Sequence, residues 1–203
     1  MALANYSDLL TAVAGWLNRS DLTATIPDFI KLAEAEFNRT LRTIEMEATS
    51  SLTVTSGVSN LPADFLGARS IFVANTVLDY ITPGEALEDD STGTPIFYTI
   101  VDGQFVFRPS NSTTATLYYY QSIPALTASN TTNWLMTKHP DLYLFATCAQ
   151  AEVYVWNDPR LPMWKARTEE LLEQINSGVT KERYGGRRLV AQSRVAQVHN
   201  IRA

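Results

Sequence analysis

Residues 26–47 read IPDFIKLAEAEFNRTLRTIEME, and the spacing of their apolar positions sets the fold class. Ile30, Ala33, Phe37, Leu41 and Ile44 recur at steps of three and four, which predicts one helical stripe running to about residue 44. Thr25 followed three residues later by Asp28 reads as a capping box, and Pro27 falls in the first turn, where its missing N–H is harmless. Around the stripe lie Glu34, Glu36, Arg39, Arg42, Glu45 and Glu47. Glu34 falls off the apolar stripe, while Glu36 with Arg39 and Arg42 with Glu45 have the three-residue spacing of solvated helical ion pairs.

Upstream, Leu10, Val13, Ala14 and Leu17 predict a preceding helix capped by Asn5 or Ser7, so the chain opens on a helical hairpin. Downstream the period changes from helical to two. SSLTVTSG, 50–57, alternates Leu52 and Val54 against Thr and Ser, and short β-branched runs surround a turn near Asn75. LPADFLGA, 61–68, reads as a single helical turn. In FYTIVDGQFVFRP the pair Asp102-Gly103 separates two alternating runs, the signature of a type I′ hairpin, whose turn residues both need positive φ. TATLYYYQSIP adds a strand, and an antiparallel meander is expected over 46–129.

Helical periodicity returns in KHPDLYLFATCAQAEVYVW, where Leu142, Phe145, Ala146, Ala149, Val153 and Trp156 share a face. A last helix with Trp164, Leu171, Leu172 and Ile175 follows, with Gly178 read as its C-cap. The expectation is an α+β fold: a four-helix-type bundle from N- and C-terminal helical hairpins (1–45 and 130–180), an inserted antiparallel β module (46–129) and an extended C-terminal arm (181–203) that a partner orders.

The net charge of −5 conceals an asymmetry: residues 1–180 carry −10 and residues 181–203 carry +5. The acidic body is a poor nucleic-acid binder, because phosphate binding needs Lys and Arg to displace counterions, whereas the tail suits phosphate or an acidic protein surface. No apolar run approaches the roughly 20 residues of a membrane span, and MALANYSDLL lacks the profile of a signal peptide; the reading is a soluble globular protein. Cys148, the only cysteine, allows no intrachain disulfide and reads as a small buried filler.

Reactive constellations are sparse. GxxxxGK[ST] and GxGxxG are both missing, and neither His139 nor His199 has a metal-binding or nucleophile companion. Glycosidase chemistry needs only two carboxylates, so Glu34, Glu36, Glu45, Glu47 and Asp89-Asp90 are weighed for it; helical ion pairing and turn formation account for them better. Tyr118, Tyr119 and Tyr120, with Phe97, Phe105 and Phe107, suit stacking on sugars or bases, and serve equally as ordinary strand residues.

The order WLNRSDL, IPDFIKLAEAEFNRTLRTIEME, LPADFLGARSI, VDGQFVFRP, YYYQSIPAL and a helix pair ending near YGG resembles the adaptor proteins of tailed bacteriophages, also called head-to-tail connector or tail tubular proteins. The resemblance implies a non-enzymatic virion protein without cofactors, assembled in the host cytoplasm and placed at the head–tail junction. It implies a ring of about twelve copies beneath the portal, contacting portal protein and tail nozzle or fibre proteins, with DNA passing through unbound. The arm that reaches the portal is then Arg183, Tyr184, Arg187, Arg188, Leu189, Val190, Arg194, Val195 and Val198. Glu34, Arg39, Arg42 and Glu45 become candidates for contacts between subunits. A head-completion stopper or tail terminator is the structural rival. A tail-associated carbohydrate-binding or cell-wall-degrading module is the rival of another class.

Overall fold

A computed structural model describes residues 3–151 and 159–184, the last six as helical backbone alone. The fold is α+β, with six helices and two four-stranded sheets among the described residues.

Helix α1, Tyr6–Leu17, starts at Asn5, whose side chain accepts from the Asp8 N–H, and ends at Asn18 in the left-handed conformation. It buries Leu9, Ala12, Val13 and Leu17, so the stripe is rotated from the expected one: Leu10 and Ala14 are only half-buried. Helix α2, Ile26–Thr40, has Pro27 in its first turn, but Thr25 makes no side-chain cap, so the capping box is not formed. Nor does the helix run to Ile44. It stops at Thr40, and Leu41 turns into extended backbone while remaining fully buried. A single 3-10 turn, Ile44–Met46, then buries Met46 and leaves Ile44 at the surface. Long-range bonds fix this ending. Asn176 Nδ2 donates to the Thr40 carbonyl at 3.2 Å, and the Asn38 side chain accepts from the Ile123 N–H at 2.8 Å.

The strands follow as β1 Glu47–Val54, β2 Val58–Asn60, β3 Phe65–Val73, β4 Thr76–Val77, β5 Asp79–Tyr80, β6 Phe97–Val101, β7 Gln104–Arg108 and β8 Thr113–Gln121. They do not form a meander. One sheet has the order β1-β8-β3-β4 and the other β2-β7-β6-β5, with β5 and β6 parallel. Strand β8 lies between β1 and β3 because its inward residues Ala115, Leu117 and Tyr119 complete a face with Leu52, Val54, Ile71 and Val73. Phe105 and Phe107 of the second sheet cover that face. The Asp102-Gly103 hairpin forms as expected, with φ of 51° and 70°, and Ala74-Asn75 makes a second turn with two positive φ values. The segment 61–68, expected as a helical turn, instead enters β3 through a short turn. Helix α3, Pro83–Glu88, is an element additional to those expected; a Thr82–Glu85 capping box starts it, and it packs on β6 and β7.

The helix expected to start at Pro140 and Asp141 does so as α5, Pro140–Gln150, and a short helix α4, Trp134–Lys138, precedes it. Val153 and Trp156 of that expected face lie outside the described residues. Helix α5 is the common partner of α1, α2 and α6, which spans Leu161–Tyr184. Gly178 is therefore interior to α6 and caps nothing, and residues 181–184 continue the helix rather than open an extended arm. The helices share one core, which includes Phe37, Met46, Ile123, Leu126, Leu135 and Tyr143; the sheets enclose a second.

Candidate functional site

The charges of the opening helix separate once folded. Glu34, expected on the solvated side, is only 5% exposed. Its Oε1 accepts from the Leu126 N–H at 2.8 Å and from the Tyr143 hydroxyl at 3.1 Å. Asn133 Nδ2 donates to the same tyrosine oxygen and to the Pro124 carbonyl, both at 2.7 Å, while its Oδ1 caps α4 by accepting from Met136 N–H. The network ties α2, α4, α5 and the connection from β8 into one unit. Burial pushes the Glu34 carboxyl above its ordinary range, and the two donors pull it back in part. Burial likewise raises the Tyr143 phenol, and the neighbouring Glu34 carboxylate adds to the effect.

Arg39 is exposed at the last turn of α2. Arg42 is half-buried: its guanidinium donates to the carbonyls of Asn38 and Leu41, closing the end of α2, and lies 6.0 Å from the Tyr120 ring centre. Arg69 approaches the same ring at 5.6 Å and pairs with Glu47, so Tyr120 joins the helical core to the first sheet. Glu45 pairs with Lys138 of α4. Burial acts to raise its carboxyl, but the lysine and the backbone donors outweigh that and hold it below the usual range. Of the four subunit-contact candidates, Arg39 presents its charge outward, while Arg42 and Glu45 are partly committed and Glu34 is enclosed.

Residues weighed for chemistry are likewise dispersed. Glu36 accepts from Gln150 at 2.8 Å, and Asp89 closes α3 and accepts from Ser91 N–H at 2.9 Å. Among the described residues no three of His, Cys, Asp and Glu form a group able to hold a metal. Cys148 is fully buried, and burial pushes its thiol up to about 12, which fits the filler reading. The tyrosine run alternates with the pleat. Tyr119 is inward and bonds Asp64 at 3.0 Å, whereas Tyr118 faces out with its ring edge-on to Phe72.

Two surface features remain. Tyr80, Leu87, Ile96 and Val101 are exposed apolar side chains on or beside β5, α3 and β6, of which β5 and α3 both pack on β6. A cleft of about 300 Å³ opens between α6 and the α4–α5 junction, with Trp134, Leu171 and Ile175 as its apolar lining and Glu45 and Lys138 at its rim. Sequence reasoning missed the cleft, because its walls come from segments more than thirty residues apart. Of the expected arm, Arg183 and Tyr184 end α6 as described backbone; Arg187, Arg188, Leu189, Val190, Arg194, Val195 and Val198 lie outside the described residues.

No described helix is long and apolar enough to cross a membrane. No curated protein matches the chain. The family model described as SU10 adaptor protein, however, matches residues 4–195, spanning both cores and the segment between them. The chain therefore belongs to the SU10 adaptor protein family of phage head–tail adaptors, structural proteins of the virion.

Proposed function

We propose that copies of this chain close into a ring beneath the portal, join head to tail and extend the DNA channel. The observation that carries this reading is the family match across residues 4–195. The helical residues, 1–45 and 130–180, form the ring as a bundle whose neighbours meet through a heterologous interface. The β module, 46–129, faces the tail and offers Tyr80, Leu87, Ile96 and Val101 to a nozzle or fibre protein. The basic residues 183–198 reach the portal, and about twelve copies complete the ring. Arg39 is the first choice for a contact between neighbours because it is exposed and has no partner among the described residues.

Electron microscopy of the full chain mixed with its portal tests the reading. The expected result is a closed ring seated on the portal, lost or weakened by Arg39→Glu while the chain stays folded. Absence of any ring overturns the reading. A ring on the tail tube instead of the portal replaces it with a tail terminator, and portal binding that survives removal of residues 185–203 removes the arm from it.

A further inference from the structure

We propose that the outer stripe of α2 docks on the outer stripe of α6 in a second copy of this chain, with the two helices parallel. This docking rests on the ring reading and gives that ring its two faces. On α2, Ile26, Phe29, Ile30, Ala33 and Phe37 are buried, which leaves Leu32, Ala35 and Arg39 on the side away from the core. On α6, Trp164, Thr168, Leu171 and Leu172 are buried, which leaves Met163, Ala166, Glu169 and Glu173 on the side away from the core. Each outer stripe carries an exposed apolar residue, Leu32 at 51% and Met163 at 57%, followed three residues later by an alanine. Burying such a pair is favourable, and the alanines let the helix axes approach to about 8 Å.

The charges fix the direction. Arg39, Glu169 and Glu173 have no ionic partner among the described residues, whereas Asp28 pairs with Lys31 and Glu170 with Arg167. With Ala35 set beside Ala166, a parallel arrangement places Leu32 beside Met163. Arg39, four residues past Ala35, then falls between Glu169 and Glu173, three and seven residues past Ala166. An antiparallel arrangement sets Asp28 against Glu173 and leaves Arg39 beside Pro162, with no acid to meet it. The direction of the helices within one chain agrees. Arg160, just ahead of α6, donates to the Trp16 carbonyl at 2.8 Å, at the end of α1, from which the connection 18–25 leads into α2. Asn176 donates to the Thr40 carbonyl at 3.2 Å, at the end of α2, so α2 and α6 run the same way. Neighbours in a ring of about twelve copies differ by a rotation of about 30°, which turns no helix by more than that angle. Helix α2 therefore meets the next copy's α6 near parallel, as the charges require. Because the two faces are different, the contact passes from copy to copy instead of closing a dimer.

The test uses the full chain carrying Leu32→Cys and Met163→Cys, assembled on portal, viewed by electron microscopy and treated with a short bismaleimide, with Cys148 shielded by its burial. The expected product is a ladder of multimers on a denaturing gel. Either single variant should stay monomeric, and the two single variants mixed should give a dimer. Rings without a ladder overturn the interface and leave the ring reading standing. Cross-linked dimers from one single variant also overturn it and assign the face to two-fold pairing. Absence of rings from the unmodified chain overturns both. Charge exchange gives a readout free of cysteine chemistry. Glu169→Arg with Glu173→Arg is expected to raise the concentration needed for rings about tenfold, with unchanged far-ultraviolet circular dichroism, and adding Arg39→Glu is expected to restore it. No loss from the two reversals, or a loss that Arg39→Glu does not repair, overturns the pairing.

Discussion

Glu34 joins two long-range partners to a helix that would otherwise present a polar side chain to water, and its ionisation is therefore coupled to folding. Burial raises its carboxyl pKa above the unfolded value of about 4.3, so the folded state holds the proton more tightly. That contribution to stability is complete below the unfolded pKa and is lost as pH rises through the raised folded value. Glu34→Gln keeps an acceptor for Leu126 and Tyr143 without the buried charge. Thermal melts from pH 4.5 to 8 should show the wild-type midpoint falling relative to the Gln variant; parallel curves would remove the linkage. Glu34→Ala leaves a buried N–H and a buried hydroxyl short of an acceptor and should cost about 3 kcal/mol by urea unfolding. The two arginines differ in the same assay. Arg42→Ala should cost about 1.5 kcal/mol because its guanidinium closes α2, whereas Arg39→Ala should stay within about 0.5 kcal/mol. A large loss at Arg39 would show a structural role and weaken its place at a subunit contact.

Among the elements, the turns separate by what surrounds them. Gly57 links β1 to β2 and so carries the chain from one sheet to the other. It has a φ of 78°, its N–H donates to Asn111 and its carbonyl accepts from Phe107, and an added Cβ would come within 2.8 Å of Ser110 Cβ. Gly103 has a φ of 70° with nothing within 4 Å. Gly103→Ala should therefore cost about 1 kcal/mol from backbone conformation alone, and Gly57→Ala about 3 kcal/mol once the clash is added. Equal losses in denaturant melts would contradict this difference. The Asp102-Gly103 hairpin was legible in the sequence because its pattern is complete within about a dozen residues. The meander failed because periodicity identifies strands but not their partners: β8 reaches its place between β1 and β3 through burial against Phe105 and Phe107. Glu34 was misplaced for the same reason, its partners lying 92 and 109 residues away. At Gly178 the expectation of a cap met a helix that runs on without needing positive φ.

At the scale of the whole molecule the charge distribution bears on what a DNA conduit requires. Residues 1–180 carry −10, and the positive excess of +5 is confined to residues 181–203. A surface that guides DNA without holding it must leave few condensed counterions for a protein cation to release, and the acidic body meets that condition. Binding of duplex DNA by the full chain should then come from the tail alone. With at most the six cations of residues 181–203 each neutralising a phosphate, log K against log salt should have a slope no steeper than about −5.4. Fluorescence anisotropy with a labelled duplex at 50 to 200 mM salt measures it, and Arg187→Glu with Arg188→Glu and Arg194→Glu should reduce binding to background. A steeper slope, or binding that survives those three reversals, would place a phosphate-binding surface on the body. The chain would then grip DNA, against the channel role proposed above.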